Sequence, residues 1–151
     1  MRNKLNYAPG FTLIELLVVI GIIAVLATVV IIAINPARQF AQARNTQRWS
    51  NVNTLLNAVG QRMADKRGLW TTDATCVATL PASTTPIGSD VGNTDLSPCI
   101  VPTYVSIMVR DPSVGVVGDT GYTIIQTGGA SGRITINAPN AELSEVITVT
   151  R

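Results

Sequence analysis

The sequence predicts an α+β fold. A long N-terminal helix, membrane-spanning in its first half and amphipathic in its second, packs on a small antiparallel β-sheet. Three observations carry this. The stretch Leu16–Ile34 contains no charged residue and is long enough as a helix to cross a hydrocarbon layer of about 30 Å. Trp49, Val52, Leu56, Val59 and Met63, with Leu55 beside them, repeat in steps of three and four, which lines one face of a helix. Beyond residue 103 the chain turns to short β-branched and aromatic runs separated by Gly, Pro, Asn and Asp, the pattern of antiparallel strands.

The apolar run comes first. Its Leu, Ile and Val residues supply roughly −4 to −8 kcal/mol on an insertion scale. Only Gly21 and Thr28 depart from apolar character within it. Glu15 sits just ahead of the run, and a carboxylate there costs up to about 3 kcal/mol at the bilayer centre and less near the interface. The segment can carry that cost and still insert. Read alone, Glu15 is a flanking acid reaching for the interface.

Its neighbours support a sharper reading. A short polar and basic leader, with Arg2 and Lys4, ends at Gly10 and is followed by Phe11-Thr12-Leu13-Ile14-Glu15. A secretory signal peptide has the opposite order, with its small-residue cleavage site after the apolar core. Gly10–Glu15, continued through Leu16-Leu17-Val18-Val19-Ile20, resembles the processing site of type IV pilins and type II secretion pseudopilins. The resemblance implies a pilin-like fold and no enzymatic activity of the chain's own. It also implies that a membrane-embedded prepilin peptidase cuts after Gly10 and methylates the new amine on Phe11. Glu15 then gains a cationic partner, because a carboxylate and an ammonium in a poorly solvated place favour each other. That partner is the Phe11 amine of a neighbouring subunit, as the resemblance implies, or that of the same chain, which lies about 6 Å away along a helix.

The resemblance divides the chain into a cleaved leader over 1–10, a transmembrane and polymerisation helix over 11–35, an amphipathic helix of the head over 36–68, and a loop-and-sheet head over 69–151. It places the protein in a bacterial cytoplasmic membrane with its N-terminus inside, then in an extracellular or periplasmic filament. Positive charges alone leave the orientation open, since Arg38, Arg44 and Arg48 follow the span. Cys76 and Cys99 are the two cysteines of the chain and fall in the part expected to be exported. One disulfide in an oxidising compartment fits them, with two free thiols as the alternative.

Within the predicted helix, Pro36 removes the hydrogen bond to Ile32 and crowds its carbonyl. A kink is expected there, with Gly21 as a second weak point. The helix resumes over 37–67, ends at Gly68 after Lys66 and Arg67, and makes one long bent helix over 11–67. Gln47, Arg48, Ser50, Asn51 and Arg62 read as its wet face, and a coiled-coil partner for the stripe is disfavoured by its shortness. Residues 69–103 read as an irregular loop with a short strand at Cys76–Leu80. Strands are expected at Tyr104–Val109, Tyr122–Thr127, Arg133–Ala138 and Glu145–Thr150, the middle two as a hairpin around the turn Gly128–Gly132.

Charge is unevenly spread. The formal net charge of +2 comes from Arg2 and Lys4. Residues 35–67 are basic and residues 68–151 acidic. This asymmetry either registers subunits side by side or is a solvated distribution with no partner.

Several chemistries are excluded or weak. The chain has no histidine, which removes Ser/His and Cys/His catalysis and histidine metal ligands. Gly128–Gly132 has no following Lys-Ser/Thr, so it is a turn and not a phosphate loop. No cofactor is expected, although Asp111 and Asp119 bracket a glycine-rich loop that could hold calcium with backbone carbonyls. The implied partners are copies of the chain itself, prepilin peptidase, an inner-membrane assembly platform and, before assembly, the membrane. Nucleic acid is disfavoured, because the head has no basic patch with interleaved aromatics, although the stem arginines could touch phosphate. The implied function is a structural subunit of a pilus-like filament. The alternatives are a pseudopilin of a secretion or competence system and a minor tip pilin with a binding role.

Overall fold

Asn35 is where the helical first part of the chain is interrupted. In the computed structural model, which describes residues 10–129 and 131–151, helix α1 spans Leu13–Ile34 and helix α2 spans Pro36–Asp65. Asn35 between them takes the left-handed conformation, φ 48° and ψ 80°, which Asn tolerates better than most residues. Its carbonyl accepts from the Arg38 and Gln39 amides, at 3.1 and 3.4 Å. Pro36 therefore occupies the first position of a new helix, where its missing N–H costs nothing. The interruption falls where a kink or a short melted turn is expected and divides the long helix into α1 and α2, while α1 runs through the other expected weak point, Gly21, without a break. The predicted leader, with Arg2 and Lys4, and Ala130 lie outside the described residues apart from Gly10.

The chain forms two units, one ending at Gln39 and one running Phe40–Arg151. In the second, α2 buries Val52, Leu55, Leu56, Ala58 and Val59, while Trp49 and Met63 are only partly buried against the same core. The stripe meets the inner face of a four-stranded antiparallel sheet in the order β1 (Thr85–Pro86), β2 (Thr123–Thr127), β3 (Arg133–Ala138) and β4 (Ile147–Thr150). The register pairs Ile124 with Ile136 and Ile136 with Val149. Alternation along β3 sends Ile134, Ile136 and Ala138 inward, as a half-buried strand requires. Thr135, Thr148 and Thr150 lie on the outer face, where Thr135 and Thr150 are hydrogen-bonded at 2.8 Å. Gly128 and Gly129, both at positive φ, close the expected β2–β3 hairpin.

The sequence misplaced the rest of the sheet. Tyr104–Val109 is not a strand. The Tyr104 and Val105 amides bond back to the Ile100 carbonyl, at 2.9 and 3.2 Å, behind a short helix α3 over Ser97–Ile100. Cys76–Leu80 is not a strand either; the Ala78 carbonyl accepts from the Trp70 indole at 2.8 Å. The edge place goes to Thr85–Pro86, which lies in the stretch 69–103 expected to be an irregular loop. Proline has no N–H to give, and at an edge position none is missed. The last strand begins at Ile147 and not at Glu145, since Leu143 and Ser144 have φ of 58° and 57° and turn the chain just before it.

The C-terminus of α2 also differs in detail. The Gly68 amide bonds to the Met63 carbonyl at 2.7 Å and the Arg67 amide to Ala64 at 3.3 Å, a Schellman closure. The first left-handed residue is Arg67, φ 64°, ahead of Gly68.

Candidate functional site

The N-terminal site is built by four consecutive features. Gly10 and Phe11 lie in non-helical, exposed backbone, so the peptide bond between them stands clear of α1. Among the described residues a Cβ on Gly10 would meet nothing within 4 Å, so their packing does not demand glycine at this position. Thr12 is the N-cap, extended at φ −81° and ψ 151°. Its hydroxyl accepts from the Glu15 amide at 3.2 Å, and Oε2 of the Glu15 carboxylate accepts from the Thr12 amide at 2.9 Å and hydroxyl at 2.7 Å. This is a capping box. Oε1 of Glu15 accepts nothing among the described residues.

Glu15 thus has a local job, which the sequence reading missed. The signal was available: Thr12-Leu13-Ile14-Glu15 in front of an apolar run is the capping-box pattern. Behind it, α1 is apolar on every face and buries none of its residues. It is long and apolar enough to cross a membrane. A helix of this kind has no stable place in water, so lipid or other protein must cover it.

The second constellation lies in the head, and the sequence reading placed its central residue on the wrong face. Arg48 is completely buried. Its Nε lies 2.6 Å from Asp111 Oδ2 and its Nη2 3.1 Å from Oδ1. Its Nη1 reaches Glu142 Oε2 and Asn45 Oδ1, both at 2.9 Å. Arg44 grips Glu142 from the rim with two bonds, at 2.7 and 2.6 Å. Asn45 donates to the Glu142 carbonyl and accepts from the Glu142 amide, at 2.7 and 2.9 Å. One turn of α2 thereby ties down two loops, the one after Arg110 and the one after Ala138. Asp111 in addition accepts from the Ser113 amide and hydroxyl and the Val114 amide.

The electrostatics follow from this geometry. Burial alone would push the Asp111 carboxyl up, but Arg48 and the Ser113 and Val114 donors outweigh it and hold it at about 2. Arg44 and then Arg48 lower Glu142 to about 2. Arg62, also read as wet, is buried instead. It bonds to the Cys99 and Thr71 carbonyls and to Asp73 and lies 5.2 Å from the Trp70 ring centre. Asp73 is held far below the carboxylate range by the Thr75 hydroxyl, the Cys76 amide, Lys66 and Arg62.

The predicted residues are therefore distributed as follows. Cys76 and Cys99 are bridged, with Cα atoms 4.5 Å apart. Asp111 is committed to Arg48, and Asp119 accepts from the Gly121 amide at 2.8 Å. No group of three or more candidate metal-ligating side chains occurs among the described residues. The basic stem and acidic head find each other within one chain, through Arg44–Glu142, Arg48–Asp111, Arg62–Asp73 and Lys66–Asp73. For these residues the asymmetry is satisfied within the chain.

No curated protein and no solved structure matches the chain. What does match is the stretch holding the exposed Gly10–Phe11 bond, the Thr12–Glu15 capping box and most of the uncovered helix. Residues 5–31 fit the prokaryotic N-terminal methylation motif, and the chain therefore carries the prepilin-type motif of type IV pilins and pseudopilins.

Proposed function

We propose that this protein is a structural subunit of a type IV pilus-like filament, cut after Gly10 by prepilin peptidase and polymerised through α1. The observation that carries the reading is the coincidence of the methylation motif over 5–31 with an apolar helix that has no buried residue among the described ones. Hydrolysis of the Gly10–Phe11 bond leaves a carboxylate on the leader and an ammonium on Phe11. That ammonium is the natural partner for Glu15, whose Oε1 is open. In the membrane α1 is solvated by lipid; in a filament it is solvated by copies of itself. The head stands outside the membrane, in keeping with its Cys76–Cys99 bridge.

Substitution of Gly10 tests this directly. Gly10→Ala is expected to leave the leader attached, seen as the longer chain on a gel, and to remove the protein from fibres sheared off cells. Normal processing of that variant, or an N-terminus at Met1 in the protein isolated from cells, overturns the assignment.

A further inference from the structure

The head carries an apolar projection on the loop that follows Asp111, the partner of Arg48, and an apolar groove along the C-terminal part of α2. The projection is the loop from Val114 to Gly118. Val116 and Val117 are 58% and 76% exposed. The loop is stiffly mounted. The Val116 amide bonds to the Asp119 carbonyl at 2.7 Å, the Asp90 amide to the Gly118 carbonyl at 3.0 Å, and the Gly115 amide to the Asp111 carbonyl at 3.1 Å. It brings two carboxylates with it. Asp119 follows the loop directly, and the Asp90 side chain lies where a Cβ on Gly118 would sit. Asp90 is exposed and has no hydrogen bond or ion pair from its side chain among the described residues.

The groove, about 430 Å³, lies about 18 Å from Arg48 along α2 at 1.5 Å per residue. Leu56, Met63, Ala64 and Ile134 line it, and Gly60 opens onto it without a side chain. Arg133 and Arg151 stand in its wall. Arg133 is exposed and unpaired among the described residues, while Arg151 reaches only the neutral Asn57.

We propose that the Val114–Gly118 loop of one copy docks in the Leu56–Ile134 groove of the next, with Asp90 and Asp119 meeting Arg133 and Arg151. The match is one of character and of charge. Valine side chains exposed on a stiff loop fit an open apolar trough, and a carboxylate pair without a cation fits a guanidinium pair without an acid. The two surfaces are different patches of one chain, so the contact is head-to-tail, and such a contact gives a ring where its rotation closes and an open helical array where it does not. In the filament proposed above it is the open array, and it needs no second protein. The inference rests on the filament reading above and adds to it a contact between heads, separate from the packing of α1.

Paired cysteines test it in the full-length chain. Val116→Cys and Ala64→Cys both replace solvent-facing positions, and the native cysteines are already bridged. Mild oxidation of cells carrying the double variant is expected to give a ladder of dimers, trimers and longer species, lost when either cysteine is left out. Filaments that form without a ladder overturn the docking and leave the filament reading intact. Absence of any polymer from the unaltered chain overturns both. Linkage of Ala64→Cys to itself, or adducts whose mass is not a multiple of this chain, also overturns the docking. A charge swap checks the result without cysteines. Asp90→Arg and Arg133→Asp are each expected to lower the yield of sheared filaments, and the two together to restore it; equal yield from all three overturns the proposal.

Discussion

Arg48 Nε lies 2.6 Å from Asp111 Oδ2, and neither side chain reaches solvent. A buried ion pair is weak support for stability taken as a whole, because desolvating both charges costs much of what their attraction returns. Its geometry is another matter. The guanidinium meets four polar partners on the two loops and α2; removing it leaves the buried Asp111 Oδ2 without a donor, while Glu142 keeps Arg44 and Asn45 keeps the Glu142 amide. Arg48→Met is expected to destabilise the head by about 3–5 kcal/mol. Arg48→Lys is expected to recover little, since an ammonium cannot reproduce the planar fork. Asp111→Asn keeps an oxygen for the Ser113 and Val114 amides, and Arg48→Met with Asp111→Asn is expected to cost less than the two changes summed. Urea unfolding of the full chain in detergent measures all three; strict additivity would separate the two residues energetically.

Acid should loosen the same cluster. Asp111 and Glu142 both have their carboxyls lowered to about 2, against ordinary values of 3.8 and 4.5. A depressed folded pKa gives stability that is complete above the unfolded value and is lost as pH falls toward the folded one. The melting temperature is therefore expected to stay level from pH 7 to about 5, then to fall between about 4.5 and 2. Asp111 supplies on the order of 2 kcal/mol of this. In Asp111→Asn the acid slope is expected to be shallower from a lower plateau. A slope unchanged by that substitution would assign the acid sensitivity to other carboxylates.

The bridge between Cys76 and Cys99 closes the loop that Arg62 and Asp73 pin to α2. Joining two residues 23 apart in sequence constrains the unfolded chain by roughly 3 kcal/mol. The cost of Cys76→Ser with Cys99→Ser is expected to be of that size. The loss should be concentrated in residues 69–100, because Cys76, Leu96, Cys99 and Ile100 all belong to the core. Hydrogen exchange of the reduced protein reads where protection disappears. Uniform loss over β2 and β3 would mean that the head unfolds as one unit.

The N-terminal site was largely legible in the sequence, and the head only in part, for reasons that differ by element. The apolar run and the Gly10–Glu15 motif are contiguous, so no tertiary information is needed to see them. The stripe on α2 was legible through its period, and the β2–β3 hairpin through its glycines. Arg48 and Arg62 were not, because periodicity assigns a charged residue to the wet face unless its partner is known. Their partners lie 63 and 11 residues away. Tyr104–Val109 has strand composition but finds no strand to pair with. Thr85–Pro86 lacks strand composition yet lies beside β2. Strand identity is a property of the pair, and one segment read alone does not contain it.

Glu15 caps α1 in the structure and has a second role in the filament proposed above, and one substitution divides the two. As N3 of the capping box it accepts from the Thr12 amide, and a neutral amide side chain can do the same. As the proposed partner of the Phe11 ammonium it must carry charge. Glu15→Gln is therefore expected to keep the start of α1 and to be processed normally, since the Gly10–Phe11 bond lies outside the helix. It is also expected to assemble poorly. Thr12→Ala removes the hydroxyl that caps the Glu15 amide and is expected to fray the first turn by about 1 kcal/mol, while Glu15 keeps its charge and the filament yield stays closer to that of the unaltered chain. Hydrogen exchange at the Glu15 and Leu16 amides reports the cap, and sheared filament yield reports the charge. If Glu15→Gln assembled as well as the unaltered chain while Thr12→Ala did not, capping and not ion pairing would be what assembly requires of this residue.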